Sequence, residues 1–88
     1  ESLPPSIGKI SNLKYLDLDR NKLTSLPEEI TEILEISDLY LEENKIEKLP
    51  QNLENWQNLK QLILTGNPIS EKEQERIRNK LLLTEIFF

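Results

Sequence analysis

The acidic side chains are the residues of this chain that could do chemistry. The sequence holds 16 Asp and Glu residues but no His and no Cys, so an imidazole base, a thiolate nucleophile and the common zinc ligands are missing. Asp19 and Glu42 stand 23 residues apart at matching positions of a repeated pattern, with Asp17 and Glu43 nearby. Carboxylates brought together in this way could serve as an acid and base pair or bind a cation.

A solvated acidic surface explains these residues better than a cation site. Calcium needs roughly six to eight oxygen ligands from a loop that wraps around it, whereas Asp19 and Glu42 are expected on neighbouring strands. A chain of this length with 16 acidic residues also brings some carboxylates together by chance. We therefore expect no cofactor and no metal, and predict that the protein is not an enzyme.

The elements that position these side chains follow from a repeat of 23 residues. Its copies read LKYLDLDRNKL from Leu13, ISDLYLEENKI from Ile36 and LKQLILTGNPI from Leu59. A fixed period of about 20 to 29 residues is typical of a solenoid, in which each repeat packs on its neighbours. One repeat position is always Asn, namely Asn21, Asn44 and Asn67.

Each copy alternates apolar and outward residues, as around Leu39 and Leu41, which predicts a short strand with one buried face. Because the strands recur in the same direction after a full coil, we expect a parallel sheet with about 4.8 Å between strands. The Asn that follows each strand can both donate to and accept from backbone groups of the turn. Asn21, Asn44 and Asn67 are thus interpreted as a structural ladder.

On the return side of the coil the apolar spacing changes to three, as in Ile30, Ile33 and Ile36. This spacing favours a short 3₁₀ or helical turn, and Pro27 stands just before it, where its fixed φ is tolerated. The prediction is an α/β solenoid with a parallel sheet on its concave face and short turns on its convex face.

The unit S-L-P-x-x-I-x-x-I-x-x-L-x-x-L-x-L-x-x-N-x-L resembles the leucine-rich-repeat family, whose fold is a short horseshoe arc. Together with Gly8, Asn12, Asn58 and the closing GNPISEKEQERIRNKL, it is similar to leucine-rich-repeat proteins of pathogenic spirochaetes, of the leptospiral type. The resemblance implies a secreted or surface protein that attaches to other proteins, including host proteins, through its concave face. Similar repeats occur in intracellular scaffolds, so a cytoplasmic location stays open.

The chain divides into repeats and a cap. Residues 1–69 hold about three repeats, the first partial, and residues 70–88 form a C-terminal cap. Ser70 and Glu73 have the spacing of a helix capping box, and Thr84 to Phe88 alternates as a short strand with Ile86 and Phe88 on one face.

The other end of the array has no matching cap. The strand around Leu16 is therefore predicted to be an unpaired sheet edge. Either preceding repeats of a longer receptor cover this edge, or a second copy pairs with it in a homodimer, and we favour the longer receptor. In that case these residues are its capped C-terminal part and contribute mainly stability.

The outward strand positions are the candidate binding residues. The large side chains are the strongest candidates, because exposed Tyr is enriched at binding hot spots. The alternative is that Tyr and Ile stand there because they are good strand residues. Charged residues share the same face. The predicted contacts with a protein partner of unknown identity are Tyr40, Tyr15, Ile63, Asp17, Asp38, Glu42 and Lys60.

Composition excludes other classes of partner. The net charge of −5 and the pI near 4.7 argue against nucleic acid binding. No segment approaches the roughly 20 apolar residues of a membrane span. Three strands with five outward positions each offer fewer residues than the roughly 20 to 30 per side of a standard interface, so we expect weak binding by this chain alone.

Overall fold

The computed structural model describes residues 2–88, in which short turns alternate with short strands. The 3₁₀ turns span Pro5–Lys9, Glu28–Glu32 and Leu53–Asn55. The strands are β1 (Tyr15–Asp17), β2 (Asp38–Tyr40), β3 (Gln61–Ile63) and β4 (Glu85–Phe87), and one helix, α1, spans Glu71–Lys80. The strands form one parallel sheet in the order β1-β2-β3-β4. The predicted solenoid with its helix and strand at the C-terminal end is confirmed.

The register of the sheet sorts the side chains into rows. Leu16, Leu39, Leu62 and Ile86 are paired across the four strands and face the core. Because successive residues of a strand point to opposite faces, the residues before and after them form two outward rows. These rows are Tyr15, Asp38, Gln61 and Glu85, and Asp17, Tyr40, Ile63 and Phe87.

The core lies between the sheet and the 3₁₀ turns. Leu39 and Leu62 from the sheet are fully buried, as is Ile33, which follows the second turn. Trp56, at the same repeat position as Ile33, is only 2% exposed, and its indole N–H donates to the carbonyl of Ile30 at 3.3 Å. Its one polar group is thus satisfied inside the core.

The C-terminal cap closes the last coil. The Ser70 hydroxyl accepts the Glu73 N–H at 3.2 Å, as the capping box predicts. In a complete capping box the Glu73 side chain would also accept the backbone N–H of Ser70. Here the Glu73 carboxylate instead accepts the buried N–H of Leu49 at 3.0 Å and pairs with Arg76 at 2.9 Å. Arg76 in turn donates to the carbonyls of Leu49 and Pro50. The pair therefore satisfies backbone groups of the preceding coil.

The opposite end of the solenoid is open in the part of the chain that the structure describes. There β1 pairs with β2 alone, and Leu16 and Leu18 are only partly buried, whereas Leu39 and Leu41 are fully buried. Ile10 is 50% exposed. No helix within residues 2–88 has the length and apolar character to cross a membrane.

Candidate functional site

An apolar row crosses the centre of the concave face. Tyr40 of β2, Ile63 of β3 and Phe87 of β4 are paired in register, with Asp17 of β1 at the end of the row. Neighbouring strands lie about 4.8 Å apart, so these side chains form a continuous stripe. Tyr40 and Ile63 are half-buried and Phe87 is 42% exposed. We call Tyr40, Ile63 and Phe87 the central row.

Tyr15 does not join the central row. It lies in the other outward row with Asp38 and is 66% exposed at the open edge of the sheet. Both tyrosines are on the outward face of the sheet, one strand and one row apart.

The acidic residues of this face bind backbone and polar groups. The Glu42 N–H donates to the Asp19 carboxylate at 2.6 Å, and the Asp19 N–H donates to the Asp17 carboxylate at 3.1 Å. At the other end of the sheet, Gln61 donates to the Glu85 carboxylate at 3.4 Å. Asp19 thus fastens the turn after β1 to the turn after β2. Within residues 2–88, no group of three or more acidic residues is arranged to hold a metal ion.

The lysines of the concave face lie at the strand starts, with Asp38 and Glu85 in the adjacent row. Lys14 and Lys60 lie where β1 and β3 begin, in line with Ser37 before β2, and we call this edge of the concave face the strand-start rim. Asp19, Glu42 and Glu43 lie beyond the ends of β1 and β2. Lys60 is therefore on the opposite side of the central row from Glu42.

Asn44 and Asn67 of the Asn ladder each link their coil to the preceding one. The side-chain oxygen of Asn44 accepts the N–H groups of Asn21 and Leu23 at 2.9 and 3.0 Å, and its amide donates to the carbonyls of Leu18 and Leu41 at 2.9 and 3.0 Å. Asn67 likewise accepts the Ile46 N–H and donates to Leu41 and Leu64. Asn21 is exposed, and its amide donates to the Asp19 carbonyl. These contacts make the Asn residues part of the scaffold that presents the central row.

Phe87 was missed in the sequence because the 23-residue repeat ends before β4. Leu62 pairs with Ile86, a step of 24 residues, so the aligned columns stop at Ile63. The alternation in Glu85, Ile86 and Phe87 carries the missing signal, since an inward Ile86 requires an outward Phe87.

Comparisons with known proteins agree with this geometry. Residues 11–69 match the family model for the leucine-rich repeat. The solved structure of a leucine-rich-repeat protein of Leptospira interrogans superposes with a TM-score of 0.95 and 44% sequence identity over 98% of this chain. The chain spans only 22% of the length of that protein. No curated protein matches the chain. The resemblance drawn from the repeats is confirmed.

Proposed function

The chain belongs to the leucine-rich-repeat family, whose domains are generally protein interaction modules, and on that premise we propose that it binds a protein partner through its concave face. The observation that supports this proposal is the central row. Apart from Tyr15 at the open edge, the remainder of the outward strand surface is polar or charged, so Tyr40, Ile63 and Phe87 form a stripe that a partner can cover.

The central row has the properties of an interaction hot spot. Tyr and Phe offer large, rigid contact areas that lose little side-chain entropy on binding. The sheet holds the three side chains in fixed register, so they need no rearrangement before contact. A partner that covers the row removes the apolar surface from water, which supplies the main part of the binding free energy.

The charges beside the central row indicate the chemistry of the partner. Asp17, Asp38 and Glu42 surround Tyr40, whereas Lys60 and the exposed Tyr15 lie towards the strand-start rim. A partner with apolar side chains flanked by basic groups is complementary to this arrangement, and such complementarity mainly raises specificity and the association rate.

The module is proposed to be non-catalytic. The chain has neither imidazole nor thiol, and members of the family are typically non-catalytic. Among residues 2–88, Glu73 has a lowered carboxyl pKa, and this group is bonded to Leu49 and Arg76 in the cap rather than placed on the concave face. Its role is structural.

The cellular location of the protein is a further part of the proposal. We infer a bacterial surface or secreted protein whose partners include host proteins, and the 44% identity to the protein of Leptospira interrogans supports the bacterial part. An intracellular scaffold is the alternative. Protease treatment of intact cells distinguishes them, because a surface protein is cleaved and a cytoplasmic one is spared.

The open edge of β1 supports a second proposal, an end-to-end homodimer. The outer backbone groups of β1 have no strand partner within residues 2–88. In the same first coil, Ile10 follows the 3₁₀ turn and is half exposed. Light scattering should detect a dimer of the 10.3 kDa chain, and Ile10→Ser should shift it towards monomer. If light scattering finds a monomer at every concentration, the dimer is rejected. The proposal of binding through the concave face is not affected by that result.

Binding at the concave face can be tested without a known partner. A displayed library of host and bacterial protein fragments is selected on the wild-type chain, and amide NMR shifts then map each binder. The proposal expects shifts centred on Tyr40 and Ile63. Binders that shift only the convex 3₁₀ turns would reject it.

A further inference from the structure

A second surface lies on the strand-start rim, away from the central row. An open groove of about 620 Å³ runs there, and we call it the rim groove. Its lining includes Lys14, Tyr15, Glu35, Ser37, Lys60 and Leu83. None of them belongs to the central row, so binding at the rim groove can be tested separately from binding at the central row.

The rim groove is basic although the chain is acidic. Its lining holds two lysines against the single carboxylate of Glu35, while the whole chain has a net charge of −5. Within residues 2–88, ion pairs form at Glu73 and Arg76 and at Glu54 and Lys80, and neither Lys14 nor Lys60 is in one. Both ammonium groups are thus open to an anionic partner.

Apolar surface borders the two lysines. Leu83 is 94% exposed in the turn between α1 and β4, and Tyr15 is 66% exposed at the start of β1. Both line the rim groove. An aromatic ring beside an open channel is the kind of surface on which proline-rich segments in the polyproline II conformation dock.

The sheet fixes the spacing between the backbones of the two lysines. The Ser37 N–H donates to the Lys14 carbonyl at 2.8 Å, and the Lys60 N–H donates to the Ser37 carbonyl at 2.7 Å. Lys14 and Lys60 are therefore two strand spacings apart, which is about 9.6 Å. A polyproline II helix has three residues per turn and a rise of about 3.1 Å per residue, so residues three apart lie on one face about 9.3 Å from each other.

From this match of spacing and charge, we propose that the rim groove binds an acidic, proline-rich protein segment in the polyproline II conformation. Two carboxylates three residues apart pair with Lys14 and Lys60, and the prolines that flank this pair on either side pack against Tyr15 and Leu83. A β-strand fits less well, because its residues three apart point to opposite faces.

The spacing can be tested with two peptides of equal composition. The probe is the peptide GPEPPEPG, whose two carboxylates are three residues apart. The control is GPPEEPPG, in which the carboxylates are adjacent, and both peptides carry the same fluorescein label. By fluorescence anisotropy at low salt, the wild-type chain should bind the probe about fivefold more tightly than the control, and added salt should weaken binding. Equal affinities for the two peptides, or no binding at millimolar concentration, would overturn the proposal.

Variants separate the rim groove from other surfaces. Lys60→Glu or Lys14→Glu should weaken binding of the probe about fivefold or more, whereas Lys72→Glu, an exposed charge reversal on α1, should leave it unchanged. Glu35→Gln should tighten binding of the probe, because it removes the one carboxylate of the groove lining.

Two results would overturn the proposal. A loss of affinity with Lys72→Glu equal to that with Lys60→Glu would show nonspecific attraction, and a loss with Tyr40→Ala alone would place the peptide on the central row. Unchanged circular dichroism melting shows that each variant is folded.

Discussion

The side-chain oxygen of Asn44 lies 2.9 Å from the backbone nitrogen of Asn21, the residue at the same position one repeat earlier. It also accepts the N–H of Leu23, so one buried amide serves two donors of the preceding coil. Asn21, in the first described coil, has no corresponding bond to an earlier coil among residues 2–88. The same residue type at the same repeat position thus does different work in neighbouring coils.

This difference predicts unequal effects of two identical substitutions. Asn44→Ala should lower the free energy of unfolding by about 1 to 3 kcal/mol, because it leaves buried backbone groups unsatisfied. Asn21→Ala removes one exposed hydrogen bond and should cost less than about 1 kcal/mol. Urea unfolding of both variants provides the measurement. Equal losses would show that the ladder does not depend on a preceding coil.

The cap is predicted to weaken in acid. Burial raises the pKa of Glu73, but the hydrogen bonds from Arg76 and the Leu49 N–H, with the charges of Arg76 and Lys48, outweigh it and bring the pKa below 4.5. Because the folded pKa is lower than the unfolded one, the carboxylate stabilises the fold above pH 4.5, and this contribution is lost as the pH falls through the folded pKa. Wild type should therefore exceed Glu73→Gln in stability at neutral pH by about 1 to 3 kcal/mol.

Urea unfolding across this range measures the difference between wild type and Glu73→Gln. The difference should shrink from pH 4.5 downward. Glu75→Gln, on an exposed position of the same helix, controls for the loss of one negative charge. A gap between wild type and Glu73→Gln that stays constant down to acidic pH would contradict the assigned role of the carboxylate.

Close packing of the convex turns makes Gly8 sensitive to substitution. Gly8 is buried against the second 3₁₀ turn, and a Cβ atom there would collide with the backbone carbonyl oxygen of Glu29. Gly8→Ala should force the turns apart and cost about 1 to 3 kcal/mol. Ser6→Ala, an exposed change in the same turn, is the matched control. A melting temperature of Gly8→Ala equal to that of Ser6→Ala would show that the turns can separate freely.

Local periodicity explains why much of the fold could be predicted. Alternation around Leu39 and the spacing of three from Ile30 to Ile36 each belong to one type of element, so strands and 3₁₀ turns followed directly. The bond between Glu73 and Leu49 could not be predicted in this way, because it joins residues 24 positions apart across two elements. The capping motif reports only the contacts within its own helix turn.

Backbone conformation after the strands was also missed. Arg20, Glu43 and Gly66 occupy one repeat position, and all three have positive φ, at 59°, 60° and 87°. Gly66 alone carries the signal, since glycine adopts this conformation without strain. Arg20 and Glu43 carry no such signal, because a single sequence position gives no information on φ when its residue has a Cβ.

The central row is the part of the candidate site that depended on the structure most. Tyr40 and Ile63 were expected from the repeat, but their continuation into Phe87 requires the register of β4. The predicted contacts of Asp17, Asp38 and Lys60 with a partner remain predictions.

The affinity of a selected binding fragment for three forms of the chain tests the central claim most directly. Isothermal titration calorimetry measures the dissociation constant of the fragment for wild type, for Tyr40→Ala and for Leu34→Ala. The Leu34→Ala variant is the control, because it removes an exposed leucine outside the sheet. If the central row binds the partner, Tyr40→Ala should weaken affinity by about fivefold or more, corresponding to at least about 1 kcal/mol, and Leu34→Ala should leave it unchanged. Wild-type affinity in Tyr40→Ala, with a loss in Leu34→Ala, would contradict binding through the concave face.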